Sequence, residues 1–471
     1  MKSRFLLYVL FLGTAVLAVA GLIQAGETYL PPPGVAQIAT ASASSGALAQ
    51  MLDNAGHPLA RLIIQLIVII VAARVLGSLA GRLGQPRVIG EIAAGVLLGP
   101  SLLGAIAPDT SRLLFPDASL PILQLLSQIG VLLFMFVVGL ELDPAHLRGR
   151  ARTAVAVSHF SIVIPFVLGV TLSLALYTQY APSGVRFHAF ALFCGIAMSI
   201  TAFPVLARIL DEHRLTHTPL GITAITCAAV DDVTAWAILA FVVAISTAGG
   251  ALETLLAIVA LAAAFLLLMI FVARPVIQRV FSRDRDGDAL TQGRIAIVLV
   301  VLLSSALTTE VIGIHALFGA FVAGAIMPLE GTFRAQLRDR LESISSVFLL
   351  PLFFAYTGLR TQIGLLDDVA SWMVCVAIIV VATAGKMGST IVAARWTGLA
   401  WRDSMALGAL MNTRGLMELV ALNVGYDLGI LTPEIFAMMV LMALVTTAMT
   451  GPLLSLSLGP TSRPPSTLLR R

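Results

Sequence analysis

Two adjacent carboxylates, Asp231 and Asp232, interrupt the otherwise apolar run AAVDDVTAWAIL at residues 228–239. A charged side chain at the centre of a bilayer costs at least about 2.5–3.5 kcal/mol. A pair of them there points to chemistry rather than packing. A carboxylate in such a place can hold a proton or a cation, but not both. Neighbours on a helix point about 100° apart, so one carboxylate can face a cavity while the other faces a neighbouring helix. Two like charges this close in low dielectric also disfavour ionisation of both. A structural hydrogen-bonding pair is the competing reading. Lys386, in TAGKMGST, lies deep in the apolar segment 370–394. A buried lysine must be paired or neutral, and the natural partner is one of the two aspartates. Asp231 pairing with Lys386 while Asp232 faces the cavity is one assignment, and the reverse is open. Snorkelling of the lysine to the interface is the third possibility.

Two further apolar segments are interrupted by polar residues. In SITAFPVL, Pro204 cannot donate a backbone bond and clashes with the preceding turn, while Ser199 and Thr201 offer hydroxyls beside the break. In MNTRGLMEL, Asn412, Thr413, Arg414 and Gly415 interrupt the helix pattern. Unwound backbone at membrane depth is tolerated only where protein or a water-filled cavity covers it. Two breaks crossing beside the aspartates would offer carbonyls and hydroxyls to a hard cation. The candidate metal ligands are Asp232, Asp231, Thr201 and Ser199. Arg414 can neutralise the carbonyl ends of a half-helix, and Glu418, four residues on, can pair with it. Local capping by Ser199 and a purely structural Arg414–Glu418 pair are the bland alternatives. Glu91 reads as interfacial, His315 as a satisfied core histidine, and Glu310 and Asp143 as solvated span ends. Cys194, Cys227 and Cys375 have no pairing or metal spacing and read as small buried hydrophobes. There is no phosphate loop, nucleophile elbow, zinc spacing or redox motif, so no cofactor and no enzymatic activity are expected.

The elements that must carry these residues follow from composition. Of 471 residues, 58% are hydrophobic and only 11% charged, against about 25% charged in soluble domains. With a mean hydropathy of +0.98, the chain reads as an all-α polytopic membrane protein. The net charge of +4 resides in short loops and carries no case for nucleic acid. Apolar segments long enough to span lie at 58–80, 87–106, 121–141, 152–177, 188–210, 219–247, 252–275, 292–309, 312–328, 343–360, 370–394, 403–424 and 433–458, thirteen spans in all. If the residues before 58 are put outside, every inner loop carries two to five arginines. The outer side from Arg61 onward has only Arg61, Arg112, Arg186 and Arg360. By the positive-inside rule this orientation places the C-terminus in the cytoplasm. Residues 1–25 have a basic start, an apolar run and a small-x-small site, which suits a signal peptide or an extra span. Residues 26–57, with PPPG and ASASSGA, read as an extracytoplasmic linker, 58–460 as the transmembrane domain and 461–471 as a short cytoplasmic tail.

A faint internal repeat runs through the spans. GEIAAGVLLGP resembles IHALFGAFVAGAIMP, LLFMFVVGLELD resembles LPLFFAYTGLRTQ, and the two interrupted segments correspond. The repeats are offset by an odd number of spans and so are inverted across the membrane. Inverted repeats with paired broken helices mark a secondary transporter.

As an ordered set, QPRVIGEIAAGVLLGPSLLG, GVLLFMFVVGLELD, SITAFPVLARIL, AAVDDVTAWAI, GIHALFGAFVAGAIMP and MNTRGLMELVALNVG resemble the monovalent cation:proton antiporter 2 family of the sodium/proton exchanger superfamily, notably the plant cation/proton exchangers and their bacterial relatives. The resemblance covers about residues 58–460. It implies thirteen spans with inverted repeats, a dimer domain of spans one to three and eight to ten, and a mobile core of spans four to six and eleven to thirteen in which spans five and twelve cross. It carries over Asp232 as the residue binding H⁺ and cation in turn, Asp231 and Lys386 as its neighbouring pair, Thr201 at the first crossing, and Thr413 and Arg414 at the second. The adjacent-aspartate form implies electrogenic exchange. Unlike many members, the chain carries no soluble nucleotide-binding or regulatory domain after the last span, which argues against gating through one. The expectation is therefore a bacterial inner-membrane homodimer exchanging Na⁺ or K⁺ for H⁺ by alternating access, in contact with lipid and not with nucleic acid. A sodium-coupled organic-solute symporter of similar crossed-helix architecture is the alternative; a channel-like protein is a weaker one.

Overall fold

A bilayer core offers backbone groups no water, so a spanning segment must satisfy its own hydrogen bonds, and in apolar runs of this length it does so as helix. The computed structural model of the chain obeys this: among the described residues there are helices and turns and no strand. Described are Asn54 and residues 57–141, 151–216, 218–247, 252–282, 291–328 and 332–458. The leader 1–25, nearly all of the linker 26–57, Asp143 and the tail 461–471 lie outside them.

The longer helices are α1 (Pro58–Arg82), α2 (Arg87–Leu98), α3 (Leu120–Glu141), α4 (Ala151–Tyr180), α5 (Phe187–Ser199), α6 (Phe203–Glu212), α7 (Pro219–Thr247) and α8 (Leu252–Leu268). They continue with α9 (Gln292–Ile312), α10 (Ala316–Ala325), α11 (Thr332–Ile344), α12 (Leu350–Arg360), α13 (Val369–Trp396), α14 (Trp401–Met411), α15 (Leu416–Asp427) and α16 (Pro433–Leu458). Local signals set several ends. The Asp368 carboxylate accepts the Ser371 amide at 2.8 Å and caps α13. Gly313, at φ 93°, closes α9 in the left-handed region that favours glycine.

The thirteen spans read from the sequence resolve into two kinds of segment. Nine stretches among the described residues are helical, long and apolar enough to cross a membrane unaided: 58–82, 87–106, 108–140, 154–180, 219–247, 252–281, 292–312, 369–396 and 433–458. Of the other four segments, three hold no such helix, and 343–360 lies within the unbroken helical run 332–360. Segments 188–210 and 403–424 are broken into α5–α6 and α14–α15, 312–328 holds the ten-residue α10, and 343–360 holds a π turn, Ser345–Leu349, followed by α12. Apolar composition alone does not distinguish a half-helix from a span.

Packing sorts these helices into two groups. One contains α2, α3, α9, α10 and α12; the other contains α4 to α7 and α13 to α16, and direct packing between the groups is sparse. The internal repeat accounts for the pairing. The repeat matches α2 with α10 and α3 with α12, yet α2 packs on α12 and α3 packs on α10. Reciprocal exchange of this kind is what a pseudo-two-fold axis between two copies produces.

Close helix approach depends on small residues. A Cβ added to Gly139 on α3 would lie 2.2 Å from the Phe321 carbonyl oxygen, and one added to Gly324 on α10 would lie 2.1 Å from that of Phe136. Both obstacles are backbone, so the helices would have to part. Gly324→Ala is therefore expected to destabilise the protein by about 1–3 kcal/mol, visible as a lowered melting temperature in detergent. An unchanged melt would show that α3 and α10 can separate freely.

Candidate functional site

The first break occupies Ile200 to Ala202 and is extended at both ends, with ψ 137° at Ile200 and 95° at Ala202. Pro204 stands in the first turn of α6, where its missing N–H is tolerated and a continuous helix is not. The second break runs from Asn412 to Gly415. The two meet directly: the Ala202 amide donates to the Thr413 carbonyl at 3.1 Å, and the Thr201 hydroxyl lies 3.3 Å from the Met411 carbonyl. Helix α16 braces the second break. The Arg414 amide donates to the Thr447 hydroxyl at 3.0 Å, and that hydroxyl approaches the Arg414 carbonyl at 2.8 Å. Thr413 and Thr450 hydroxyls lie 3.3 Å apart, and the Asn412 amide nitrogen is 3.4 Å from the Thr446 carbonyl.

Beside this crossing lies the polar centre of α7. The Asp231 Oδ1 accepts the hydroxyls of Ser158 at 3.1 Å and Ser161 at 2.9 Å, both on α4. Its Oδ2 accepts the Thr201 hydroxyl and, at 2.8 Å, the Lys386 ammonium from α13. Lys386 Nζ also donates to the Ser161 carbonyl at 2.9 Å and to the Ser199 carbonyl. An ammonium has three hydrogens, and all three have acceptors. Both side chains are fully buried. A buried ion pair is tolerable when its geometry is good and its remaining hydrogen-bonding capacity is met; this one meets both conditions.

Asp232 is the opposite case. It is 2% exposed, and neither of its carboxylate oxygens has a hydrogen-bond partner among the described residues. The start of α6, at the Phe203 amide, faces it without closing such a bond. It lines a small pocket of about 10 Å³ with Ile200, Ala235, Trp236, Leu239 and Met417. A buried carboxylate without donors is costly as a bare anion. Taking up a proton or a cation removes that cost.

The remaining candidates sit at half-helix ends. Arg414 donates to the Ala197 and Met198 carbonyls, each at 2.6 Å, at the C-terminal end of α5. It also lies 3.3 Å from Glu418, in the first turn of α15. A cation at a helix C-terminus and an anion at an N-terminus both match the helix dipole. Ser199 turns its hydroxyl back onto the Gly195 carbonyl of its own helix at 2.7 Å, so its backbone oxygen, not its hydroxyl, reaches the charged centre. Ser158, Ser161, Thr446, Thr447 and Thr450 escape a sequence reading. Their signal is small hydroxyls recurring three or four apart on otherwise apolar helices. Glu91 and His315 are not part of this centre. Cys194, Cys227 and Cys375 are buried free thiols.

Residues 66–458 match the family described as sodium/hydrogen exchanger, transmembrane. The chain belongs to that family. This exchanger is 45% identical over 392 residues to the Na(+)/H(+) antiporter NhaS4 of Synechocystis, covering 82% of this chain and 95% of that one. It is 42% identical over 411 residues to cation/H(+) antiporter 17 of Arabidopsis thaliana, and 34% identical over 410 residues to K(+)/H(+) antiporter 1 of Saccharomyces cerevisiae. These matches cover 87% and 86% of this chain but 50% and 47% of those, so the exchanger spans about half the length of the plant and yeast relatives. The sodium proton antiporter MjNhaP1 from Methanocaldococcus jannaschii, solved at pH 8, shares the fold. Its TM-score is 0.62 at 14% identity, over 86% of this chain and 98% of that one. The exchanger is an integral membrane protein.

Proposed function

We propose that the protein exchanges a monovalent cation, Na⁺ or K⁺, for H⁺ by alternating access, with the aspartate pair as the shared site. Asp232 is the group that holds proton and cation in turn. The observation that carries this reading is the contrast between neighbours: Asp231 is neutralised and saturated with donors, while Asp232 is buried with both oxygens free of hydrogen bonds. The Asp231–Lys386 pair carries no net charge, so the load at the site is decided at Asp232. Where protons are abundant, the carboxylate is neutral and the cation leaves. On the other side it deprotonates and takes a cation. A bare carboxylate at the midplane is too costly to carry across, so the core moves only when Asp232 is filled, and this couples the two gradients. Oxygens at the crossed breaks, Thr201 and the Ser199 backbone among them, are the further candidate ligands, and Arg414 with Glu418 holds the half-helix ends in place.

Several features complete the reading. The antiporter domain is placed at 58–460, with thirteen crossings in which α5–α6 and α14–α15 each count as one and α10 and α12 as one apiece. The arginine asymmetry supports a cytoplasmic C-terminus, and the same proposal takes the membrane as a bacterial inner membrane and the working unit as a homodimer. The names of the relatives, which cover Na(+)/H(+), K(+)/H(+) and cation/H(+) antiporters, support the substrate class and leave both alkali cations in play. A sodium-coupled solute symporter would need a roomier polar cavity; sites for organic ligands run to about 300–1,000 Å³. The pocket at Asp232 is smaller and mostly apolar.

The test is proton flux in proteoliposomes with an imposed pH gradient, challenged with Na⁺, K⁺ and choline. One or both alkali cations are expected to collapse the gradient while choline does not. Proton flux unaffected by any cation, with sodium-driven uptake of an organic solute, would replace this reading with symport.

A further inference from the structure

The two helix groups are fastened to each other at one end by a polar seam. The guanidinium of Arg360, the last residue of α12, donates to the Asn423 side-chain carbonyl at 3.0 Å and to the Asp427 carboxylate at 2.5 Å. Asn423 donates in turn to the Thr357 hydroxyl of α12 at 2.9 Å. Gln124, near the start of α3, donates to the same Asp427 oxygen at 3.3 Å. The Arg360 guanidinium lies between two tyrosine rings, 5.0 Å from Tyr356 of its own helix and 4.6 Å from Tyr426. One group thus supplies Gln124, Tyr356, Thr357 and Arg360, and the other supplies Asn423, Tyr426 and Asp427, all from α15.

Three observations give the seam a function. It roofs a small cavity of about 30 Å³ between the groups, whose wall includes Ser127, Gln128 and His315. Its bonds are polar and partly solvated, with the Arg360 and Asp427 side chains 17% and 27% exposed, so water can replace them when they part. And α15 carries the seam at its C-terminal half while Met417, near its start, lines the Asp232 pocket. Displacement of α15 relative to α12 therefore breaks the seam, and the helix that carries half of it is one that also lines the ion pocket.

We propose that Arg360 with Asp427 and Asn423 forms a latch that closes the outer entrance and must open once in every transport cycle. The reading rests on the alternating access and the orientation proposed above. The charge pattern places this end outside, where the start of α3 and the ends of α12 and α15 meet.

The test uses the full chain with Cys194, Cys227 and Cys375 replaced by Ala and Ser127→Cys as the reporter. Reaction with a membrane-impermeant maleimide applied from outside is timed. Arg360→Gln and Asp427→Asn are each expected to speed labelling about tenfold, equivalent to ~1.4 kcal/mol. The charge swap Arg360→Asp with Asp427→Arg should bring the rate back toward that of the parent. Unchanged labelling in both single variants overturns the proposal. So does a swap as fast as the singles, because packing rather than ion pairing would then hold the seam. A second measurement avoids reliance on these variants folding well: Thr357→Cys with Asn423→Cys, oxidised to a disulfide, should lose exchange and regain it with a thiol reductant. Full exchange in the oxidised form also overturns the latch. Labelling does not depend on transport. Accelerated labelling in a protein that exchanges no cation would keep the latch and remove the proposed function; normal exchange with unaltered labelling would do the reverse.

Discussion

Asp232→Asn leaves a folded protein that exchanges nothing. The two halves of this expected result come from the same geometry. The carboxylate accepts no hydrogen bond from its described surroundings, so converting it to an amide of the same shape breaks no internal bond. The substitution also removes a buried group that is costly when ionised. The melting temperature should therefore equal or exceed that of the parent. The amide cannot take up and release a proton, so cation-driven proton flux should fall below about one-hundredth of the parent rate, a barrier change of about 2.7 kcal/mol. The check is thermal unfolding in detergent alongside the proteoliposome assay. Exchange that survives would sink the assignment of Asp232.

Lys386→Ala should behave in the opposite way, with stability as its main loss. Its ammonium satisfies Asp231 and two carbonyls, those of Ser161 and Ser199. Removing it leaves a buried carboxylate without a countercharge and two orphaned acceptors. Breaking one side of a buried pair typically costs about 3–5 kcal/mol, enough to threaten folding of a marginal protein. The informative comparison is the double variant Asp231→Asn with Lys386→Met, which removes both charges. It should melt well above Lys386→Ala, because an uncharged pair of similar volume leaves no isolated charge. If the double variant melts as low as the single, the loss comes from packing and the ion pair has no special weight.

How much of this was legible beforehand depends on contrast. Asp231, Asp232 and Lys386 stand out because charge in an apolar run is rare and costly. The breaks stand out because Pro204 and the Asn412–Gly415 stretch interrupt a helix pattern. What one sequence leaves open is which aspartate meets the lysine, since a 100° step sets the two apart without fixing the rotation of α7. Ser158 and Ser161 were invisible for another reason. Hydroxyls on apolar helices ordinarily bond the carbonyl a turn behind, as Thr226 and Thr234 do here, so type and spacing do not reveal which will turn to a charge. Arg360 entered the reading as one of four outer arginines; its partner Asp427 is 67 positions away, beyond any local pattern. Composition also does not tell a broken span from a continuous one, because half-helices and full crossings are equally apolar.

The distances along the chain between the members of the charged centre bear on how the protein is made. Lys386 is 155 positions from Asp231, and Arg414 is 217 from the carbonyl of Ala197 that it caps. A ribosome adds about 5–20 residues per second. The first half of the molecule therefore enters the bilayer many seconds before its countercharges exist. During that interval Asp231 has serines for neighbours and no cation, and the end of α5 has no guanidinium. The N-terminal half is consequently a poor candidate for independent folding. Substitutions at Lys386 or Arg414 should register first as nascent chains removed by membrane proteolysis, before any defect in ion movement can be measured.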